Sequence, residues 1–210
     1  MNFFGHACLA AETRPEAAFV FGAMLPDLAA MAGLRVAGVA HAGTDAGRRF
    51  HYATDVAFHH AEGFQSLCST ATRTLSEAGL RRGPARAIGH VGVELLLDGW
   101  LATERGVPAL YGEALALGPG LAPSIAFRMD AGASPLLELC VRIAATPHSH
   151  AAWCEPERMT SRLVRILARR PLLALHGNEL PAVRAWAASA RREVERAAPA
   201  LLAEVRVGLV

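Results

Sequence analysis

The sequence contains no lysine: all 21 of its cations are arginine. Schiff-base catalysis and a phosphate-loop lysine are therefore excluded. Charge is sparse, 19% of 210 residues, and the net charge of +2 makes no electrostatic case for a nucleic-acid partner. The four cysteines, Cys8, Cys68, Cys140 and Cys154, are scattered and form no Cys-x-x-Cys pair. That spacing argues against a zinc site of paired thiolates and against a disulfide scaffold, and it predicts a reducing, cytoplasmic location. No Gly-x-Ser-x-Gly elbow occurs, and no cysteine has an evident histidine partner, so hydrolysis through a side-chain nucleophile has no support. No basic segment precedes the first apolar run, and Glu12 and Arg14 follow it closely, which argues against a signal peptide. No run reaches the ~18 uncharged apolar residues of a membrane span.

What is present is apolar: 52% of the residues are hydrophobic, enough for one sizeable core. The expectation is a single all-α domain over 1–210, with metal-site helices in 1–106 and supporting helices in 107–210. The central stretch is 82–106. Gly83-Pro84 starts a helix and Gly106 ends it, and the apolar residues Ile88, Val93, Leu95, Leu96, Leu97 and Leu101 run through it. His90, Glu94 and Asp98 recur every fourth residue and so form one stripe. Gly89, Gly92 and Gly99 leave room for another backbone or a ligand.

Residues 51–79 predict a second helix ending near Gly79, with His51, Asp55 and His59 again four apart. Residues 17–24 predict a helix that breaks or kinks at Pro26 and leaves Asp27 at a junction; 33–47 reads as a glycine-rich loop. Residues 107–135 predict short helical pieces, followed by helices over 136–145, 156–170 and 181–205. No alternating strand pattern of any length is present.

Imidazole and carboxylate groups are the usual ligands of zinc, manganese and iron. Three ionisable groups on an apolar helix are costly to bury without a partner, and a divalent metal or an arginine would serve. Geometry limits the first option. At ~1.5 Å rise per residue, His90 and Asp98 lie ~12 Å apart along the axis and cannot both reach one ion. The same limit separates His51 from His59. The bland alternatives are a satisfied core histidine at His6, an arginine partner such as Arg86 or Arg128 for Glu94, and an exposed or capping Asp55. His41, His60, His148, His150 and His176 are assigned to loops or surface; His148, His150 and Cys154 form a weak metal-binding pattern.

The opening MNFFGHACLA resembles the Met-Asn-Phe-x-x-His-x-x-Leu-Ala start of the acyl carrier protein phosphodiesterases. GAMLPDLA resembles their Gly-x-x-Leu-x-Asp segment, FHYATDVAFH their His-x-x-x-Asp helix, and LLLDGWL their later Asp-containing helix. RILARRPLLAL and the last helix are similar to the family's C-terminal portion. The resemblance implies an HD-like, all-helical phosphohydrolase fold. It also implies manganese-dependent release of 4′-phosphopantetheine from the carrier-protein serine. His6, Asp27, His51, Asp55 and Asp98 match the family's motifs. Two positions depart: the second acidic residue, four after the Asp55 position, is His59 here, and the histidine that usually follows the Asp98 position is Gly99. His90 and Glu94 have no clear counterpart.

The resulting expectation is a metal-dependent phosphodiesterase. The metal ligands are His6, Asp27, His51, Asp55, His59 and Asp98, and the catalytic groups are Asp55, His59, His90 and Glu94. The cofactor is a divalent metal, manganese ahead of zinc or iron. The partner is acyl carrier protein or a small phosphodiester. Arg48 and Arg49 are candidates for a phosphate by position alone. Two alternatives stand beside this: hydrolysis of another phosphoester, lipid or nucleotide, and a catalytically inactive helical scaffold of the same fold.

Overall fold

A computed structural model describes residues 1–128 and 132–209, without the side chains of 147–149. Among the described residues the fold is all-α: nine α-helices and one two-stranded antiparallel ribbon. No described helix is long and apolar enough to cross a membrane. The chain divides into two compact units, each made of two segments. The first comprises Met1–Val56 and Arg105–Ser149, the second Ala57–Glu104 and His150–Val210.

The first unit begins with α1 (Phe3–Thr13), capped by the Asn2 side chain, which accepts a hydrogen bond from the Phe3 amide at 3.0 Å. Residues 3–10 are all buried, so this helix is core on every face. A polar side chain within it, His6, is thereby carried into the interior. Helix α2 (Ala17–Met31) runs on through Pro26, where the sequence predicts a break or a kink; it does not break. Proline inside a helix costs roughly 3 kcal/mol. Met24, Leu25, Leu28 and Ala29 flank it and are buried, so packing on both sides of Pro26 outweighs that cost.

The expected loop over 33–47 is instead a strand, β1 (Val36–Val39), followed by the start of α3 (Ala42–His60). β1 pairs with β2 (Ile125–Phe127) across an irregularity at Val36/Gly38, which is why no alternation was legible. Helices α6 (Ala109–Leu121) and α7 (Ser134–Ala144) complete the unit. Tyr111 packs edge-on against Phe4 at 5.4 Å between ring centroids.

The second unit takes the end of α3, then α4 (Glu62–Glu77), α5 (Arg82–Glu104), α8 (Pro156–Leu167) and α9 (Leu180–Val207). The single helix expected over 51–79 is therefore two. They meet at Ala61, whose backbone is extended (φ −60°, ψ 126°). The Glu204 carboxylate from α9 accepts the amides of Glu62 at 2.6 Å and Gly63 at 3.3 Å, and so caps the new helix. Gly79, at φ +90°, ends α4. α5 packs against α4, α8 and α9. A Cβ at Gly89 would meet the Cys68 carbonyl of α4 at 3.0 Å, so the room anticipated there is taken by a neighbouring backbone. α9 continues through Pro199 between the buried Ala198, Leu201 and Leu202.

Candidate metal centres

Helices α2 and α3 touch backbone to backbone. A Cβ on Gly22 would lie 2.0 Å from the Thr44 carbonyl oxygen, and one on Gly47 would lie 2.0 Å from that of Phe19. Only glycine at both positions permits this approach. It places the His51 ring against the next turn of α2, where Nδ1 donates to the Ala23 carbonyl at 2.9 Å. That bond assigns the proton to Nδ1 and leaves Nε2 as the lone-pair nitrogen. His51 is 3% exposed. Burial, reinforced by the neighbouring His6, pushes its pKa down to about 3, so the ring stays neutral.

His6, from α1, lies over His51 with ring centroids 3.9 Å apart. Its Nδ1 is 2.8 Å from Thr54 Oγ1. The Thr54 hydroxyl proton is already directed to the carbonyls of Phe50 and His51, at 2.9 and 2.8 Å. Thr54 must therefore accept from His6 Nδ1, and His6 Nε2 points to Asp55 Oδ1 at 3.1 Å. A ring so placed meets both neighbours in two ways. It can be an imidazolium, or its Nε2 lone pair can bind a cation shared with nearby carboxylates.

Asp55 Oδ1 also accepts from the Met1 ammonium at 3.0 Å, and Asp55 Oδ2 is 3.7 Å from His51 Nε2. Burial works to raise the Asp55 carboxyl, but His6 and the ammonium hold it well below the usual carboxylate range. Asp27 Oδ2, on α2, is shielded from solvent. His6, Asp27 and His51 each present a ligand atom within 4.8 Å of the other two. Two imidazoles and a carboxylate from three helices, with their tautomers set by Ala23 and Thr54, are a donor set that fits a divalent transition metal.

A second group of three forms in the second unit: His59, His90 and Glu94, again within 4.8 Å of one another. His90 and Glu94 are one turn apart on α5, and His59 comes from the end of α3. Glu94 Oε1 is 3.3 Å from His90 Nε2 and 3.5 Å from His59 Nε2. The two rings stack with centroids 5.1 Å apart and planes 11° from parallel. Burial works to raise the Glu94 carboxyl, and the two imidazoles are among the groups that nevertheless bring it well below its ordinary value. Two histidines are thus among its partners; sequence suggested Arg86 or Arg128.

The six expected metal ligands thus fall out as follows. His6, Asp27 and His51 come together, Asp55 joins them through His6, and His59 belongs to the second group. Asp98 is buried on α5 in the second unit and is in neither group of three. Arg48 and Arg49 are both tied to Asp45, Arg48 at 2.6 Å. His150, expected in a loop or at the surface, is buried beside Trp153, and burial pushes its pKa down to about 3. The side chain of His148 lies outside the described residues.

Sequence reasoning missed Thr54 and Ala23, because hydroxyl and carbonyl positions leave no periodic trace. It missed Gly22 and Gly47 too, because 33–47 reads as a loop and Gly47 therefore had no helix to face α2. Arg35 and Arg128 were also missed as a pair; they line a cavity of about 530 Å³ in the first unit together with Pro26 and Tyr52. No protein-family model matches this sequence, and comparison with curated proteins and with solved structures returns no match.

Proposed function

We propose that this chain is a metal-dependent phosphodiester hydrolase whose centre is His6, Asp27 and His51. The supporting observation is the meeting of those three ligand atoms within 4.8 Å, each delivered by a different helix. The sequence resemblance to the acyl carrier protein phosphodiesterases points the same way and names the substrate, the 4′-phosphopantetheine diester of a carrier-protein serine. On that reading the fold is HD-like, the location cytoplasmic and the metal manganese, with zinc or iron as substitutes.

A bound divalent metal supplies Lewis acidity toward a phosphoryl oxygen and lowers the pKa of water. The chain's own residues do the rest. Ala23 and Thr54 lock the two ring tautomers, so that each imidazole offers Nε2. Asp55, ionised and one-third exposed, adds negative charge beside both rings and favours a cation there. Arg35 and Arg128 are permanently charged forks suited to a phosphate, in a cavity walled by the sequence neighbours of Asp27 and His51.

One observation favours a catalytically silent scaffold instead: His6 and Asp55 satisfy each other through a proton alone. The deciding experiment measures release of 4′-phosphopantetheine from holo carrier protein, and of p-nitrophenol from bis(p-nitrophenyl) phosphate, with manganese and with chelator. Turnover with manganese that falls to background in Asp27→Asn supports the hydrolase. Turnover of the small diester alone moves the substrate to another phosphoester. No metal uptake and no turnover establish the scaffold.

A further inference from the structure

We infer that the second unit carries a zinc-type centre, His59–His90–Glu94, at the head of a groove that takes a phosphate monoester with an apolar portion. The inference is independent of the hydrolase reading, since every residue in it belongs to the second unit.

The distances carry the first half. Charge-assisted bonds between imidazole and carboxylate run about 2.7–2.9 Å. Here two imidazole nitrogens face the same oxygen, Glu94 Oε1, at 3.3 and 3.5 Å. Both separations are long for such bonds. They equal the edge of a tetrahedron around an ion with bonds of about 2.0–2.1 Å, which is about 3.3–3.4 Å. His59 Nε2 is shielded from solvent and makes no hydrogen bond within geometric limits. Two histidines and a glutamate, with His90 and Glu94 one helical turn apart, are a three-ligand set that leaves a fourth position for an exchangeable group. The stacked rings are held in place by Phe64, which meets His59 and His90 edge-on at 5.4 and 5.2 Å.

The groove carries the second half. His59 and His90 line one cavity of about 1280 Å³ between α4 and α5, together with Arg73, Arg82 and Arg86. Among the described residues no aspartate or glutamate lines it. The contrast with Arg81 is direct: that residue, next in sequence to Arg82, is tied to Glu179 at 3.0 Å. Three arginines in one groove select an anion, and planar guanidinium groups select phosphate. Phe64, Leu80 and Leu173 supply apolar wall, so the ligand has more to it than its phosphate.

The test uses the full-length Asp27→Asn chain, which disables the first centre, with Co²⁺ as the spectroscopic stand-in for zinc. Equilibrium dialysis is expected to give one bound equivalent with the visible bands of four-coordinate cobalt. Both disappear on adding His90→Ala, and again on adding Glu94→Gln, with circular dichroism unchanged; the second variant serves if the first fails to fold. Phenyl phosphate then shifts the cobalt bands, and Arg86→Ala weakens that response about tenfold. Cobalt retained in both double variants overturns the centre. So does an Asp27→Asn chain that takes up no cobalt although the unsubstituted chain does, and that result leaves the first centre standing. Cobalt bands indifferent to phenyl phosphate overturn the groove's role.

Discussion

His51 and His90 each stand four residues ahead of a carboxylate on a long helix, Asp55 and Glu94, yet the two rings live differently. His51 is 3% exposed and bonded to a carbonyl of another helix. The side chain of His90 is 47% exposed and looks into an open groove. The first centre is built from three helices and held by their backbones. The second is built mainly from one turn of one helix. Equal spacing in sequence thus yields one site buried among three helices and one whose carboxylate is buried while its His90 ring faces an open groove.

The sharpest way to break that contrast is at the α2–α3 contact. Gly47→Val drives side-chain atoms into the Phe19 carbonyl, and the expected loss is at least about 3 kcal/mol of stability, or failure to fold. Denaturant titration reads the loss; an unchanged midpoint would mean the two helices need not touch. A second test is metal linkage. With manganese or zinc at 100 times its Kd, unfolding free energy rises by about 2.7 kcal/mol for each centre. Thermal melts with and without chelator should lose one such increment in Asp27→Asn and the other in Glu94→Gln.

Acid provides the third. The ordinary histidine pKa is near 6.5, and His51 and His150 are each pushed down to about 3. Between those values the unfolded chain binds more protons than the folded one. Their contribution to stability is therefore full above about pH 6.5 and falls as pH drops toward 3, by up to about 1.4 kcal/mol per pH unit for each ring. Urea titrations across this range check the slope, and His51→Gln or His150→Gln should each remove one proton from it. A slope unaffected by either change would contradict the neutral buried rings.

Smaller still is Glu204→Gln. It leaves the α4 amides of Glu62 and Gly63 with a neutral acceptor and should cost about 1 kcal/mol. Of similar size is His90→Ala without metal, about 1 kcal/mol, because the half-solvated ring gives up little packing but takes one partner from the buried Glu94 carboxylate. An unchanged denaturation midpoint would show that Glu94 does not depend on His90.

Much of the second centre was legible, because His90 and Glu94 need only the helical period to meet. The first was half legible. His6, Asp27, His51 and Asp55 were singled out, but what orients them was not: Thr54, the Ala23 carbonyl and the Gly22–Gly47 contact involve groups with no pattern of their own. Errors in the fold have the same origin. Pro26 reads as a stop until buried Met24, Leu25 and Leu28 are seen on both sides of it. Nothing near Ala61 announces a break, because the carboxylate that caps the next helix is Glu204, 142 residues away.

The order of apolar and polar residues along the chain was enough to settle that it is helical, and to place two four-spaced acid and histidine stripes. Those outcomes depend on interactions within a turn or two, where 3.6 residues per turn decides which side chains are neighbours. Only the tertiary structure decided that the stripe running from His51 through Asp55 to His59 divides between two groups of candidate ligands. Three ligand atoms converge only when helices from distant segments pack, and where they pack is set by backbone contact and burial, which no local period encodes.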